Sequence, residues 1–151
     1  MEYKDNVVEN REPHLVYRAG MVPYFIEPNG TIQMMFMRPT NSTFGTFTYQ
    51  LAKGKVEDDD ETFYDAALRE AKEELGLFTS NIESVDRVGN FMGRTMIFVA
   101  KINNKDMFGM PSDETESTRW MTIDEFLAEG RDLHRPVIQA VYKHIQRIEQ
   151  L

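Results

Sequence analysis

The stretch GKVEDDDETFYDAALREAKEELGL, from Gly54 to Leu77, carries nine carboxylates in twenty-four residues. Thr62 and Asp65, three residues apart, form a near capping box, which signals the start of a helix. Gly76 stands where many helices end on a residue in the left-handed conformation. We therefore predict a helix from about Phe63 to Leu75.

The predicted helix has two chemically different faces. At about 100° per residue, five side chains share an apolar sector: Tyr64, Ala67, Leu68, Ala71 and Leu75. Glu70, Glu73 and Glu74 share the neighbouring sector, where exposed like charges repel by roughly a few tenths of a kcal/mol per pair. Binding of Mg²⁺ or Mn²⁺ would relieve this repulsion, because these ions prefer carboxylate and water oxygens. The charge pattern alone favours the simpler interpretation, a solvated acidic surface.

Composition and charge limit the class of protein. With 151 residues, 41% of them hydrophobic, the chain is long enough for one domain, which we predict to span residues 1–151. It has no cysteine, so disulfides and thiolate metal sites are excluded. The N-terminus lacks the pattern of a signal peptide, and no apolar run approaches the ~18 residues of a membrane span. We expect a soluble, cytoplasmic protein without a membrane partner.

The formal net charge of −8 argues against binding of a polyanion through a broad basic face. A ligand that carries phosphate groups would therefore need cations to bridge it to this protein. The carboxylates between Gly54 and Leu77 are the candidate ligands for such cations.

The rest of the chain alternates strand and helix signals. Two β-like runs, Arg18–Ile26 and Thr31–Met37, are joined by Asn29-Gly30, which is a strong hairpin signal. Further strands are predicted at Phe47–Leu51, Ile82–Asn90, Arg94–Ile102 and Thr118–Met121. Strands, one helix, more strands and final helices indicate a mixed sheet flanked by helices, in the α/β or α+β class.

Two helices are predicted after the last strand. Thr122 and Glu125 form a capping box, and Gly130 is placed to end the helix that follows. Pro136 is typical of the first turn of a helix. Apolar residues then recur at helical spacing to the end of the chain: Val137, Val141, Ile145, Ile148 and Leu151.

Residues Arg69 to Leu77, with Gly54 and Glu61 before them, resemble the Nudix box, G-x5-E-x7-R-E-U-x-E-E-x-G-U, where U is a bulky aliphatic residue. Two departures are visible: six residues separate Gly54 from Glu61 where the pattern has five, and Ala71 replaces a larger aliphatic residue. A register on Asp60 would restore the first gap but would lengthen the spacing to Arg69. We prefer Glu61, because the spacing to Arg69 runs mostly through a helix, whereas an extra loop residue costs little.

The resemblance implies a fold, an activity and a set of roles. Nudix hydrolases have a mixed sheet between helices and cleave a nucleoside diphosphate linked to another moiety, by attack of water on phosphorus with Mg²⁺ or Mn²⁺ bound. By position, Glu70, Glu73 and Glu74 would be metal ligands and catalytic residues, with Glu70 our first choice of general base. Arg69 would pair with Glu61, and Gly54 would permit the backbone turn.

Two acids lie outside the box at a position where relatives often place a further metal-binding or catalytic glutamate. They are Glu114 and Glu116, just before the last predicted strand. A solvated acidic loop explains each of them equally well.

The substrate contacts are predicted from charge and aromaticity. Arg38, Lys53 and Lys55 are candidates for phosphate contacts, although each taken singly is better explained as a surface charge. Four aromatic residues are candidates for a platform under the base, or else belong to the core: Phe44, Phe47, Tyr49 and Phe91. The histidines have no ligand spacing and are expected to be structural or at the surface: His14, His134 and His144.

The resemblance favours ADP-linked substrates such as ADP-ribose, Ap3A or FAD. Hydrolysis of RNA 5′ ends or caps and hydrolysis of dinucleoside tetraphosphates are the alternatives. A catalytically silent nucleotide-binding Nudix module and an acidic helix in an unrelated fold are less favoured, because all three box glutamates and their spacing are present. The sequence leaves open whether the protein is a homodimer.

Overall fold

Six β-strands form one mixed sheet within residues 16–40 and 47–151, the parts of the chain that the computed structural model describes. The strands are β1 (Arg18–Ile26), β2 (Ile32–Pro39), β3 (Ala52–Lys55), β4 (Ile82–Phe91), β5 (Thr95–Ile102) and β6 (Thr115–Met121). Their order across the sheet is β4-β5-β1-β2-β6, and β3 pairs with β1 off this path. β1 runs parallel to β5 and antiparallel to β2 and β3, so it is the strand through which the others are connected.

Three α-helices among the described residues cover the two faces of the sheet. They are α1 (Phe63–Leu75), α2 (Ile123–Glu129) and α3 (Arg135–Glu149). Successive side chains of a strand point to opposite faces, and β2 shows the result: Met35 and Met37 join the core under α1, whereas Met34 and Phe36 join the core under α2 and α3. The predicted α+β class, with a mixed sheet between helices, is confirmed.

Helix α1 has the bounds and the caps that its sequence predicts. The Oγ1 atom of Thr62 accepts a hydrogen bond of 3.0 Å from the backbone amide of Asp65. Gly76 ends the helix in the left-handed conformation, with φ of 75°. The apolar sector is buried against the sheet, and this orientation turns the next sector of the helix toward the ends of β1 and β3.

The C-terminal end of α1 is bonded to the loop between β5 and β6. The amide of Gly109 donates to the carbonyl of Gly76 over 2.7 Å, and the amide of Ser112 donates to the carbonyl of Glu73 over 2.7 Å. A Cβ atom on Gly76 would lie 2.1 Å from the carbonyl oxygen of Gly109. Both the φ value and this close approach therefore require glycine at position 76.

The predicted strand at Phe47–Leu51 is wrong. Tyr49 and Gln50 form only isolated bridges, the first parallel to Gly130 and the second antiparallel to Met37. The two neighbouring residues thus bond to different partners, so no ladder develops, and the strand of this region is β3, which pairs with β1. Alternation of side chains in the sequence cannot distinguish a ladder from two single bridges.

The other predicted elements are confirmed with small shifts at their ends. Gly30, with φ of 90°, and a 3.0 Å bond from the amide of Thr31 to Oδ1 of Asn29 form the predicted hairpin turn between β1 and β2. The capping box of α2 is present between Thr122 and Glu125. Within the described ranges, no helix is both long enough and apolar enough to span a bilayer.

Candidate active site

A cavity of about 420 Å³ lies where β1, β3 and α1 meet the turn between β4 and β5. Its charged residues fall into two sets. The acidic wall consists of Glu70 and Glu74 from α1 and Glu114 from the loop before β6. The basic wall consists of Arg18, Lys53, Arg94 and Arg131. A volume of this size is within the range of small-molecule sites.

Glu74 is held in place from both ends. Its Oε1 accepts a 3.0 Å hydrogen bond from the backbone amide of Lys53, and its carbonyl accepts one of 2.9 Å from Oγ1 of Thr115. Burial, followed by repulsion from the Glu70 carboxylate, raises the pKa of Glu74 to about 8. The carboxylate is thus positioned in a cavity that penalises its ionised form.

Glu70 lies against the backbone of the strand that precedes the helix. A Cβ atom on Gly54 would lie 2.3 Å from Oε1 of Glu70, so glycine is needed at position 54 for the carboxyl group to fit. The side chain is only 12% exposed. Burial raises the pKa of Glu70, while the neighbouring guanidinium of Arg69 acts in the opposite direction.

The third box glutamate faces away from the cavity. The Glu73 side chain is 52% exposed and lies 3.7 Å from a nitrogen of Arg69. It lines a separate surface depression beside Phe78 and Met110. Among the described residues, no group of three or more His, Cys, Asp or Glu side chains is close enough to hold a metal ion together.

Glu114 and Glu116 have different surroundings. Glu114 belongs to the acidic wall. Glu116 forms an ion pair of 2.9 Å with Arg38, and neither of these two residues lines the cavity. The structure therefore brings Glu114, but not Glu116, together with the box glutamates.

The predicted pairing of Arg69 with Glu61 is wrong, because Arg69 pairs with Asp60. Nε and Nη2 of Arg69 donate to the two carboxylate oxygens of Asp60 over 3.2 and 2.8 Å. Burial alone would raise the pKa of Asp60, but the hydrogen bonds from Arg69 and from the amide of Glu57 hold it below its usual value. The Asp60 side chain is 7% exposed, whereas Glu61 is at the surface.

The wrong pairing was predicted because the additional residue was placed on the wrong side of the acidic partner. Asp60 restores the five-residue spacing from Gly54, so the additional residue of this chain lies between Asp60 and Arg69. The helix begins only at Phe63, which leaves two residues of irregular backbone to absorb the insertion. Nη2 of Arg69 also donates to the carbonyl of Lys55 over 3.0 Å. Arg69 thus forms hydrogen bonds with both ends of the loop from Lys55 to Asp60.

Three of the predicted substrate contacts lie outside the cavity lining. They are Arg38, which pairs with Glu116, Lys55, whose side chain is exposed, and Phe91, which packs against the core under α2 and α3. Lys53 and Gly54 do line the cavity, and so does Met92, beside Phe91. The predicted platform residue Phe44 and the histidine His14 lie outside the described residues.

The remaining aromatic and histidine candidates do not line the cavity. Phe47 is exposed, and the hydroxyl of Tyr49 lies 3.0 Å from Oγ of Ser117. His134 is buried, and its Nδ1 accepts a hydrogen bond of 3.1 Å from the amide of Leu51. His144 pairs with Asp86, which agrees with the expectation that the histidines are structural or at the surface.

Sequence analysis missed three of the four cations of the basic wall. Arg18 begins β1, Arg94 lies in the turn between β4 and β5, and Arg131 follows α2. No local pattern links these positions, and only the fold brings them together. The strands on either side of the β4–β5 turn and the end of α2 were predicted, but the partners of these elements were not.

The acidic wall has the chemistry of a site for a divalent cation. Glu70 and Glu74 are two largely buried carboxylates that repel each other, and the coupling contributes to the raised pKa of Glu74. The side chain of Glu74 accepts only a backbone amide hydrogen bond among the described residues. A hard cation such as Mg²⁺ or Mn²⁺ would remove this repulsion, and the donors are all oxygens, as these ions prefer.

The family model of the NUDIX domain matches residues 17–141, and the chain therefore belongs to the NUDIX family. It is a Nudix hydrolase, an enzyme acting on phosphoanhydride bonds. No curated protein sequence matches the chain significantly.

Three solved structures with the same fold come from proteins of different kinds. A C. elegans Ap4A hydrolase in a binary complex is 19% identical, with a TM-score of 0.66 over 89% of this chain and 99% of that one. The NUDIX domain of Shewanella oneidensis NrtR, complexed with ADP ribose, is 12% identical, with a TM-score of 0.67 over 92% and 96%. The M. smegmatis Nudix hydrolase RenU is 16% identical, with a TM-score of 0.66 over 89% and 86%. At these identities the likeness concerns the fold.

Proposed function

We propose that this Nudix hydrolase cleaves the diphosphate linkage of nucleoside diphosphate derivatives, with Mg²⁺ or Mn²⁺ at the acidic wall. ADP-linked compounds such as ADP-ribose, Ap3A and FAD are the proposed substrates. The observation that carries the proposal is the cavity itself, in which carboxylates on α1 face four cations from other segments. One wall suits the metal and the other suits phosphate oxygens.

Glu70 and Glu74 are the proposed inner ligands, because both are directed into the cavity. Glu73 lies outside the cavity in this conformation, and we propose that it joins the other two ligands when its exposed side chain turns toward the bound metal. When bound, the metal would neutralise charge on the diphosphate and lower the pKa of a coordinated water.

The protein side chains supply the rest of the proposed mechanism. Glu70 is the proposed general base, since burial raises the pKa of its carboxyl group and a base that titrates closer to neutral pH accepts a proton more readily. Lys53 holds Glu74 through its backbone amide, and its side chain is a proposed contact for the phosphates. Arg69 and Asp60 hold the loop that carries Lys55 against the helix.

The test is a screen for hydrolysis of ADP-ribose, Ap3A, Ap4A, FAD and 5′-capped or triphosphorylated RNA, with Mg²⁺, with Mn²⁺ and with EDTA. We expect metal-dependent products from at least one nucleoside diphosphate derivative and loss of at least 99% of the rate in Glu74→Gln. Glu83→Gln, an exposed glutamate on β4, is the matched control and should retain the rate. The absence of any metal-dependent product would contradict the proposal.

A second measurement examines the metal site without catalysis. The folded protein raises the pKa of Glu74 to about 8, so its ionised form destabilises the metal-free fold as the pH rises from 4.5 through 8. Glu74→Gln should therefore unfold at a higher temperature than the wild type at pH 8 without metal. Added Mg²⁺ should stabilise the wild type and leave the variant unchanged, and equal stabilisation of both would remove Glu74 from the ligand set.

A further inference from the structure

We propose that the basic wall binds phosphate groups beyond the diphosphate that is cleaved, so that the enzyme selects linear chains of three or more phosphates. This inference rests on the proposed function, which places the cleaved diphosphate at the acidic wall. It narrows the substrates to compounds such as Ap3A and Ap4A, in preference to ADP-ribose and FAD.

The first observation is that the cations of the basic wall have no carboxylate partner in the part of the chain that the structure describes. Within residues 16–40 and 47–151, no carboxylate oxygen lies within 4.0 Å of Arg18, Lys53, Arg94 or Arg131. Arg131 donates to a neutral partner, Oε1 of Gln50, over 3.0 Å. By contrast, the arginines outside this wall at positions 38, 69, 119 and 135 each pair with acids. In a protein of net charge −8, this local excess of positive charge calls for an anionic ligand.

The second observation is that these cations are close enough to repel one another. The guanidinium carbons of Arg18 and Arg94 lie 5.4 and 5.9 Å from the ring centroid of Tyr17. Lys53 and Arg131 line the same cavity as these two arginines. Repulsion between like charges is costly when burial weakens solvent screening, and a polyanion spanning the wall would remove it.

The third observation is a pair of unsatisfied polar atoms that line the same cavity. Nε of Arg18 and Oγ1 of Thr95 are both buried and have no hydrogen-bond partner within the described structure. The two residues face each other in the register between β1 and β5. Buried polar groups are nearly always bonded, so these two wall residues have unused hydrogen-bonding capacity.

The charge balance of the cavity favours a long phosphate chain. A divalent ion at the acidic wall would offset most of the charge of Glu70, Glu74 and Glu114, which leaves the four cations opposite it to the substrate. A diphosphate diester carries about two negative charges, and these would lie close to the metal. Additional phosphates in the chain are the simplest groups that would occupy the rest of the wall and match its charge.

Binding of inorganic phosphates without metal tests the inference separately from catalysis. Isothermal titration in EDTA would compare tripolyphosphate with pyrophosphate. We expect tripolyphosphate to bind about ten-fold more tightly. Arg94→Gln, at an exposed position, and Arg18→Gln should each weaken tripolyphosphate binding about ten-fold, as expected for loss of a charge-assisted hydrogen bond. Arg147→Gln, an exposed arginine on α3, is the matched control and should bind both anions like the wild type.

Kinetic measurements then test whether the basic wall contributes to binding of the substrate. With Mg²⁺, KM for Ap4A should rise about ten-fold in Arg94→Gln, and KM for ADP-ribose should change less than three-fold. Equal binding of the two inorganic anions, or equal KM changes for the two substrates, would overturn the inference while leaving the hydrolase activity intact. Selective tripolyphosphate binding without hydrolysis of any substrate would support phosphate binding by the basic wall and contradict the proposed function. Preference for triphosphorylated RNA over Ap4A would overturn the assignment to small molecules.

Discussion

Asp60 shows how a single residue can replace an expected one. Arg69 needs a carboxylate at the end of the loop, and the structure supplies it from Asp60, one position before the predicted Glu61. The shorter Asp side chain reaches both nitrogens because the backbone from Asp60 to Thr62 is irregular. A spacing rule counts residues, whereas an ion pair depends on where the two side chains meet.

The ion pair between Arg69 and Asp60 predicts that substitutions of Asp60 and Glu61 differ in their effect on stability. Asp60→Asn should lower the free energy of unfolding by about 2 kcal/mol, because it breaks a charge-assisted bidentate contact of a side chain that is 7% exposed. Glu61→Gln, at the surface, should change it by less than about 0.5 kcal/mol. Urea denaturation at pH 7 measures both. Equal losses in the two variants, or a greater loss in Glu61→Gln, would restore the original assignment.

Elements were predictable where their signals are local. The caps of α1 and the turn between β1 and β2 depend on residues within four positions of one another, and both are confirmed. The Phe47–Leu51 strand failed because its bonds go to Met37 and Gly130, which are distant in sequence. The basic wall could not be predicted for the same reason, since Arg18, Arg94 and Arg131 belong to separate elements.

His134 links two elements and makes their association sensitive to acid. It connects the segment before β3 to the start of α3 through the bond from the amide of Leu51. Burial, followed by repulsion from Lys53 and Arg131, lowers the pKa of His134 to about 3, whereas an unfolded histidine titrates near 6.5. The folded state therefore excludes the charged form, and the stability that neutral His134 allows above pH 6.5 is lost as the pH falls toward 3.

The expected loss is about 1.4 kcal/mol per pH unit between pH 6 and 4. His134→Gln, which keeps a hydrogen-bond acceptor, should remove this slope from the free energy of unfolding, although it lowers stability at pH 7. His144→Gln is the matched control on the outer part of α3 and should retain the slope. Urea denaturation at pH 7, 6, 5 and 4 measures it, and equal slopes for wild type and His134→Gln would refute this role.

The whole molecule combines a negative net charge with a cavity that has one basic wall. Net charge −8 for the chain coexists with four cations at this wall that have no carboxylate partner among the described residues. The surface charge acts on an approaching substrate over distances comparable to the Debye length, about 30 Å at 0.01 M salt and 10 Å at 0.1 M. The basic wall acts over a few ångströms inside the cavity, where salt screens less. The fold class of the molecule was predictable from the order of its elements, but this separation of charge depends on tertiary structure.

The long range of the surface charge and the short range of the basic wall predict whether added salt raises or lowers kcat/KM. Between 0.01 and 0.1 M KCl, at fixed Mg²⁺, kcat/KM for Ap4A should rise about two-fold, because screening reduces the repulsion by the surface before it affects the cavity. Steady-state rates over this range measure the effect. The unfolding temperature of the enzyme at each salt concentration is the control that excludes unfolding as its cause. A continuous fall of kcat/KM from the lowest salt would show that attraction by the cavity dominates the approach.

The bonds between α1 and the loop before β6 also limit how the chain can vary in length. Because Gly109 and Ser112 bond to the C-terminal end of α1, the one residue between Ser112 and Glu114, Asp113, is a spacer of fixed size. A single insertion after Ser112 would move Glu114 away from its place in the acidic wall. The earlier part of the loop is also fixed, because the carbonyls of Lys105 and Met107 accept hydrogen bonds from Nε1 of Trp120 and Nδ2 of Asn81. The length of this loop is therefore constrained along its course, and the constraint nearest the cavity begins at Ser112.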